Sequence, residues 1–260
     1  MTEKYNEIEL SLSSGIATLT LNRPDIRNAV TGPEMIREIE AACAWINNEQ
    51  NVKVLVLTAA DPAFSAGGNI KDMLNKRGMF SGGPADIMDN YRKQVQRIPR
   101  AVYNLEVPSI AAVNGPAVGA GCDLALMCDM RIASENACFA ESFLNVGLIP
   151  GDGGAYFLPR LVGQARAAEM TFTGDTVSAS EAAGIGLVNR TVQHCDLLPA
   201  ATELAGKIAS KPAAALRMSK RLLRVSQHST MEEVLELSAA YQALCHSTQE
   251  HIDALQSILG

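Results

Sequence analysis

Aromatic and basic residues are scarce in this chain of 260 residues. Phe, Trp and Tyr make up 5% of it, with a single Trp, and 22 Lys and Arg face 28 Asp and Glu for a net charge of −6. No global basic field draws such a chain to nucleic acid or to an anionic membrane surface. The six cysteines, Cys43, Cys122, Cys128, Cys138, Cys195 and Cys245, contain no C-x-x-C pair. That argues against a disulfide framework or a zinc knuckle and leaves them as small apolar residues. The four histidines, His194, His228, His246 and His251, lack ligand spacing on one helix face, so packing or surface roles are expected and no metal site. Long apolar runs are also missing. The most apolar stretch, residues 107–127, is interrupted by Asn114, Pro116 and Asp123, and the opening seven residues are too charged for a signal peptide. A cytoplasmic protein without nucleic-acid or membrane partners is expected. The usual nucleotide signatures fail too: there is no G-x-x-x-x-G-K-[ST], no G-x-G-x-x-G after a strand, and Ala63 replaces the first glycine of a G-x-S-x-G around Ser65.

What is present is a globular composition, 47% hydrophobic and 19% charged, in a length suited to one large domain or a domain with an appendage. Alternation through Ile8, Leu10 and Leu12, then Ala17, Leu19 and Leu21, predicts a β-hairpin around Ser13-Ser14-Gly15. Thr31-Gly32-Pro33-Glu34 has the form of a capping box, and Met35, Ile36, Ile39, Cys43 and Ile46 follow at helical spacing to about Asn48. Residues 52–58 read as a buried strand. Residues 78–84 suit a mobile lid, and residues 85–106 a helix kinked at Pro99. Short strands are expected at 109–113, 130–133 and 137–140. From Asp196 onward the pattern is helix upon helix, with capping-box forms at Ser178 to Glu181, Ser229 to Glu232 and Ser247 to Glu250. The change of character places a boundary near residue 195, between a mixed α/β core (1–195) and a helical region (196–260).

Two segments have the composition for chemistry. Phe64-Ser65-Ala66-Gly67-Gly68-Asn69-Ile70-Lys71 and the stretch from Ala112 through Asn114-Gly115 and Gly119-Ala120-Gly121 to Leu124 both run from a strand through small residues into a helix start. Small residues let a ligand approach the backbone, and amides at a helix N-terminus point outward with partial positive charge. Each segment alone reads first as a tight strand-to-helix turn, and it is their co-occurrence that points to function. Two such amides converging on one carbonyl oxygen would form an oxyanion hole, worth about 2.7–4 kcal/mol per donor at the transition state.

Four ordered motifs carry a specific resemblance: Leu21-Asn22-Arg23-Pro24 with Asn28-Ala29, F-x-A-G-x-x-I-K at 64–71, A-V-N-G at 112–115 with the glycine-rich turn after it, and G-L-I-P-G-x-G-G at 147–154. In these the chain resembles the crotonase, or enoyl-CoA hydratase/isomerase, superfamily over nearly its whole length. The resemblance implies an α/β fold built as a spiral of β-β-α turns, a C-terminal helical region that assembles trimers or dimers of trimers, and acyl-CoA thioesters as substrates. Coenzyme A would arrive as part of the substrate, with no separate cofactor. Carried over by position, the oxyanion hole would use the amides of Gly68 and Ala120. Ala66, Asn69, Ile70 and Lys71 would hold the adenine and pantetheine end together with Ala29, and Lys71, Arg23 or Arg27 would lie near phosphates. Lys71 reads equally as a solvated lysine on a short helix.

The acids depart from the family pattern. Hydratases of the superfamily hold water between two glutamates, and the corresponding positions here are Asp123 and Phe143. Aspartate is shorter by a methylene, and phenylalanine moves no proton. Asp152 follows Gly151, whose position in the family faces the catalytic water, and reads either as a helix cap or as an acid/base aimed at the acyl chain. Asp123 has the same two readings, and Glu141 is a further candidate that would share a strand face with Phe143 if that segment is extended. The expected activity is hydration or isomerisation of an enoyl-CoA through a thioester enolate. Thioester hydrolysis, decarboxylation and C–C cleavage use the same machinery, and loss of the second glutamate also fits an acyl-CoA-binding protein without turnover.

Overall fold

The alternating N-terminal residues pair as their spacing predicts. A computed structural model describes residues 5–259. In it β1 (Ile8–Ser13) and β2 (Ile16–Leu21) run antiparallel with Ile8 opposite Leu21, joined by Ser14-Gly15 at positive φ, the backbone a two-residue hairpin requires. Helix α1 (Pro33–Asn48) buries Met35, Ile36, Ile39, Cys43 and Ile46 on one face. Its start differs from the expected capping box. Pro33 suits the first helical position, so the cap moves on to Gly32, and the freed Thr31 hydroxyl accepts the Asn69 N–H at 3.1 Å.

Strand β3 (Val54–Ala59), buried throughout, lies parallel to β2. The short helix α2 (Ile70–Leu74) is capped by Asn69, whose Oδ1 accepts from the Lys71 and Asp72 N–H groups. The stretch expected as a lid is anchored by buried Met79 and Phe80. The kinked helix is instead two helices, α3 (Pro84–Lys93) and α4 (Arg97–Tyr103). The break falls at residues 94–96, and Pro99 sits in the first turn of α4, where a missing N–H is tolerated.

The chain continues through β4 (Ser109–Val113), β5 (Ala117–Val118), α5 (Ala120–Met127), β6 (Met130–Ser134), β7 (Cys138–Ala140), α6 (Gly154–Val162), α7 (Gln164–Thr173), β8 (Val177–Ser178), α8 (Ala179–Gly184) and β9 (Arg190–Val192). One sheet has the order β1-β2-β3-β4-β6-β9 and is parallel beyond the hairpin; the other is β5-β7-β8. A turn such as β4-β5-α5 gives one strand to each sheet and then a helix, which is the expected spiral. Ser65 occupies the place of β5 in the preceding turn and bridges Ala117 in parallel, so the corners before α2 and α5 lie side by side.

Helix α9 (Leu197–Ala209), beyond the boundary expected near residue 195, packs Leu197, Ala201 and Ala205 on Val54, Val56, Ile110, Ala112 and Ile132. It thereby covers the second face of the larger sheet. Helices α10 (Ala213–Val225), α11 (Met231–His246) and α12 (Gln249–Leu259) follow. Ser178 caps α8 as expected, accepting from the Glu181 N–H. The box of α11 is Thr230 with Glu233, one residue later than expected, because the threonine offers an equivalent hydroxyl at the residue where the helix starts. Glu250 caps α10 across space, accepting from the Ala213 N–H at 3.0 Å. Among the described residues no helix is long and apolar enough to cross a membrane.

Candidate active site

The two glycine-rich segments lie against one another as a short parallel ladder. The Ser65 N–H donates to Pro116 O at 3.1 Å and the Val118 N–H to Ser65 O at 3.0 Å. The Ser65 hydroxyl donates to Asn28 O at 2.7 Å and accepts from the Gly67 N–H at 3.1 Å, while Val30 N–H donates to Gly67 O. Every polar group of Ser65 is therefore engaged, and the corner opens where the chain enters α2 and α5. Among the described residues neither the Gly68 nor the Ala120 N–H has an acceptor. The second of these is the first residue of α5, where the helix leaves its amides unpaired and partially positive. A Cβ placed on Gly67 would lie 3.0 Å from Ala120 N, so the segments are in contact. A Cβ on Gly121 would overlap the Ser65 carbonyl, and only glycine allows this approach.

Next to the amides are three buried carboxyls. Asp123 projects from α5 one turn beyond Ala120, Glu141 follows β7, and Asp152 precedes α6; their exposures are 0%, 0% and 5%. Asp123 Oδ1 and both Glu141 oxygens lie within 3.0 Å of the point where Gly154 would carry a Cβ, so the missing side chain makes room for the pair. The Asp123 and Glu141 carboxyls face each other and the Cys122 thiol, and Oδ1 of Asp152 has no hydrogen-bond partner. Burial, then the charge of Glu141, pushes the Asp123 carboxyl well above the ordinary carboxylate range. Burial raises Glu141 too, with the Asp152 charge adding to it. Two like charges so close and so dry oppose each other's ionisation, which favours sharing a proton within the pair. Asp152 is pushed up to about 7, chiefly by burial and secondarily by Asp123. It does not cap α6, since the cap residue is Gly153. An unsatisfied carboxyl that titrates near neutrality can both give and take a proton.

One expectation about this cluster is corrected. Strand β7 ends at Ala140 and residues 142–146 form a 3-10 turn, so Glu141 and Phe143 share no strand face. Glu141 turns inward beside Asp123, whereas the half-buried Phe143 places its ring 3.7 Å from the Cβ position of Gly119, beside the corner. Sequence reasoning missed Tyr91 and Gln96. The Tyr91 ring lies 3.0 Å from the Cβ position of Gly151, and burial with the Asp152 charge raises its phenol. The Gln96 side chain donates to Gly151 O at 3.0 Å. Both come from α3 and the break after it, at least 55 residues before the Gly151 they meet, with no local pattern to mark them.

The residues expected to hold the coenzyme are spread around the same corner. Arg23 pairs with Glu7 and Asp25, so a phosphate there would compete with two carboxylates for its guanidinium. Arg27 is exposed and its carbonyl accepts the Ala66 N–H at 2.9 Å; Ala29 is buried beneath. Asn69 uses its side chain as the α2 cap, Ile70 is 64% exposed, and Lys71 is exposed with no side-chain partner among the described residues.

The spiral of two sheets, with its corner of small residues over buried acids, is that of a crotonase-type enzyme. The chain belongs to the enoyl-CoA hydratase/isomerase family, whose model matches residues 11–259. It is 36% identical over 256 residues to a crotonyl-CoA hydratase of Syntrophomonas wolfei, covering 98% of this chain and 95% of that protein. It is 34% identical over 257 residues to a short-chain-enoyl-CoA hydratase of Clostridium acetobutylicum, again covering 98% and 95%. An enoyl-CoA hydratase structure from Bacillus anthracis superposes with a TM-score of 0.90 at 30% identity, covering 97% of this chain and 96% of that one.

Proposed function

We propose that the Gly68 and Ala120 amides hold the thioester oxygen of an acyl-CoA and that Asp152 moves the proton, with the Asp123 and Glu141 pair as a second acid. The supporting observation is two unpartnered amides at adjoining helix starts, with Asp123 on the same helix as one of them and Glu141 and Asp152 beside Asp123. Donors that bind a developing enolate oxygen more strongly than the neutral carbonyl lower the barrier as well as binding substrate. Hydration and allylic isomerisation of an enoyl-CoA both fit. The second glutamate is replaced here by a half-buried phenyl ring and its function is taken up by Asp152 and Glu141. Coenzyme A enters with the substrate, and the reading calls for no resident cofactor or metal. The setting is cytoplasmic. Turnover of crotonyl-CoA and of 3-enoyl-CoAs tests it: conversion of either supports the reading, and tight CoA binding without conversion of any thioester would replace it with a binding protein.

Lys71 and Arg27, exposed beside the same corner, would meet the phosphates. Lys71→Ala should raise KM for crotonyl-CoA by about 2- to 5-fold, the worth of one exposed ion contact, and leave kcat unchanged. A homotrimer or a dimer of trimers completes the proposal. Helices α11 and α12 bury no residue and expose Met231, Leu235, Leu244, Ile252, Leu255 and Ile258, an apolar surface that another subunit would cover.

A further inference from the structure

The ladder that ends at the two amides is closed at its other end by side chains that play no part in the chemistry above. Asp61 lies four residues before Ser65, and Asn114 three before Ala117, the two residues that bridge the segments. Asn114 Nδ2 donates to Asp61 Oδ1 at 2.8 Å. Asp61 Oδ2 is 3.1 Å from His194 Nε2, and His194 Nδ1 is 3.1 Å from Ser134 Oγ at the end of β6. The carboxylate selects the tautomer: Nε2–H donates to Asp61, and Nδ1 accepts from the Ser134 hydroxyl. Between these side chains the two backbones touch, since a Cβ on Gly115 would lie 2.6 Å from Pro62 O and 3.2 Å from Ala63 Cα.

Serine, histidine and aspartate in hydrogen-bonded sequence are the residue types of a hydrolytic triad, but a nucleophile must reach its substrate. Ser134 is fully buried, and its Oγ also accepts the Asn136 N–H at 3.1 Å. The function of the chain of bonds is therefore mechanical. The pairing is also held from the other side by Asn28, whose Nδ2 donates to Ala60 O at 2.7 Å and to Ala63 O at 2.8 Å, and a slip of one residue moves a strand by about 3.3 Å. Displacement of a catalytic group by about 1 Å already costs roughly 100-fold in rate. The Asn114 Oδ1 is buried without a partner, which leaves the Asp61 bond to orient that side chain. The Asn114 bond and then His194 hold the Asp61 carboxyl below the ordinary carboxylate range, so at neutral pH it is an acceptor for both.

We propose that Asp61 and His194 are positioning residues: the bonds running from Asn114 through Asp61 and His194 to Ser134 fix the register of the ladder and so the spacing of the Gly68 and Ala120 amides. The catalytic consequence rests on the function proposed above; the register pin itself does not.

Hydrogen exchange at the Ser65 and Val118 amides, the donors of the ladder, reads the pin directly, and steady-state kinetics with crotonyl-CoA read its consequence. In Asp61→Ala both amides should exchange about tenfold faster than in wild type, and kcat should fall about tenfold with KM within about twofold. Asp61→Asn, whose Oδ1 still accepts from Asn114 but whose amide nitrogen cannot accept from His194 Nε2–H, should fall between, as should His194→Ala. Unchanged exchange in folded Asp61→Ala, faster exchange with kcat intact, or an Asp61→Asn variant as impaired as Asp61→Ala would each overturn the proposal. If wild type converts no thioester, the functional reading fails, while the pin still stands or falls by the exchange rates.

Discussion

Asp152→Asn is expected to lower kcat by about 10²- to 10⁴-fold, the usual worth of a positioned proton carrier. A carboxyl pushed up to about 7 is protonated below neutrality and charged above it. As the proton donor of the rate-limiting step it would give a wild-type rate that falls as pH rises through about 7. The asparagine variant should lose that limb, and a limb that persists in Asp152→Asn would assign it to another group. The same substitution should stabilise the protein in alkali. The folded-state pKa lies above the ordinary value of 3.8, so between about 4 and 7 the native state binds more protons than the unfolded one, and stability falls as pH rises across that window. Above pH 7 the wild type carries the whole cost, on the order of 4 kcal/mol at about 1.4 kcal/mol per pKa unit. Thermal unfolding at pH 8 should therefore place the variant above wild type, with the gap closing below pH 4. A site that is more stable once its acid is removed is one in which stability has been exchanged for function.

Gly121→Ala should cost at least about 100-fold in kcat, since it forces apart the segments that present the two amides. The new Cβ would overlap the Ser65 carbonyl and lie 2.6 Å from Ser65 Cβ, and neither is the yielding end of a flexible side chain. Ser65 is held at both its N–H and its carbonyl by the ladder and through its hydroxyl by Asn28, so relaxation must move Gly68 or Ala120. Circular dichroism separates loss of the corner from loss of the fold. A folded variant with wild-type kcat would show that the spacing of the segments does not matter to turnover.

The corner was legible in sequence because two clusters of small residues occur together in order, and the spiral was implied only by the family resemblance that the motifs at residues 64–71 and 112–115 help to carry. The acids were legible only as candidates. Which way Glu141 turns depends on where β7 ends, and that is set by its pairing with β5 and β8, which residues 138–143 do not encode on their own. Arg23 looked free for phosphate because its partner Glu7 lies across the hairpin, 16 residues earlier. Thr31 and Glu250 carried correct capping chemistry but spend it on Asn69 and on α10, distant partners that spacing rules cannot see. Tyr91, Gln96 and the Asp61–His194 contact share that cause, the last joining residues 133 apart.

A structure of the protein with a bound acyl-CoA measures the central geometry most directly. The amide nitrogens of Gly68 and Ala120 should both lie about 2.7–3.1 Å from the thioester oxygen, with Asp152 within reach of the acyl α- or γ-carbon or of an intervening water. A thioester oxygen held by any other pair of donors, or either amide turned away from it, would contradict the account.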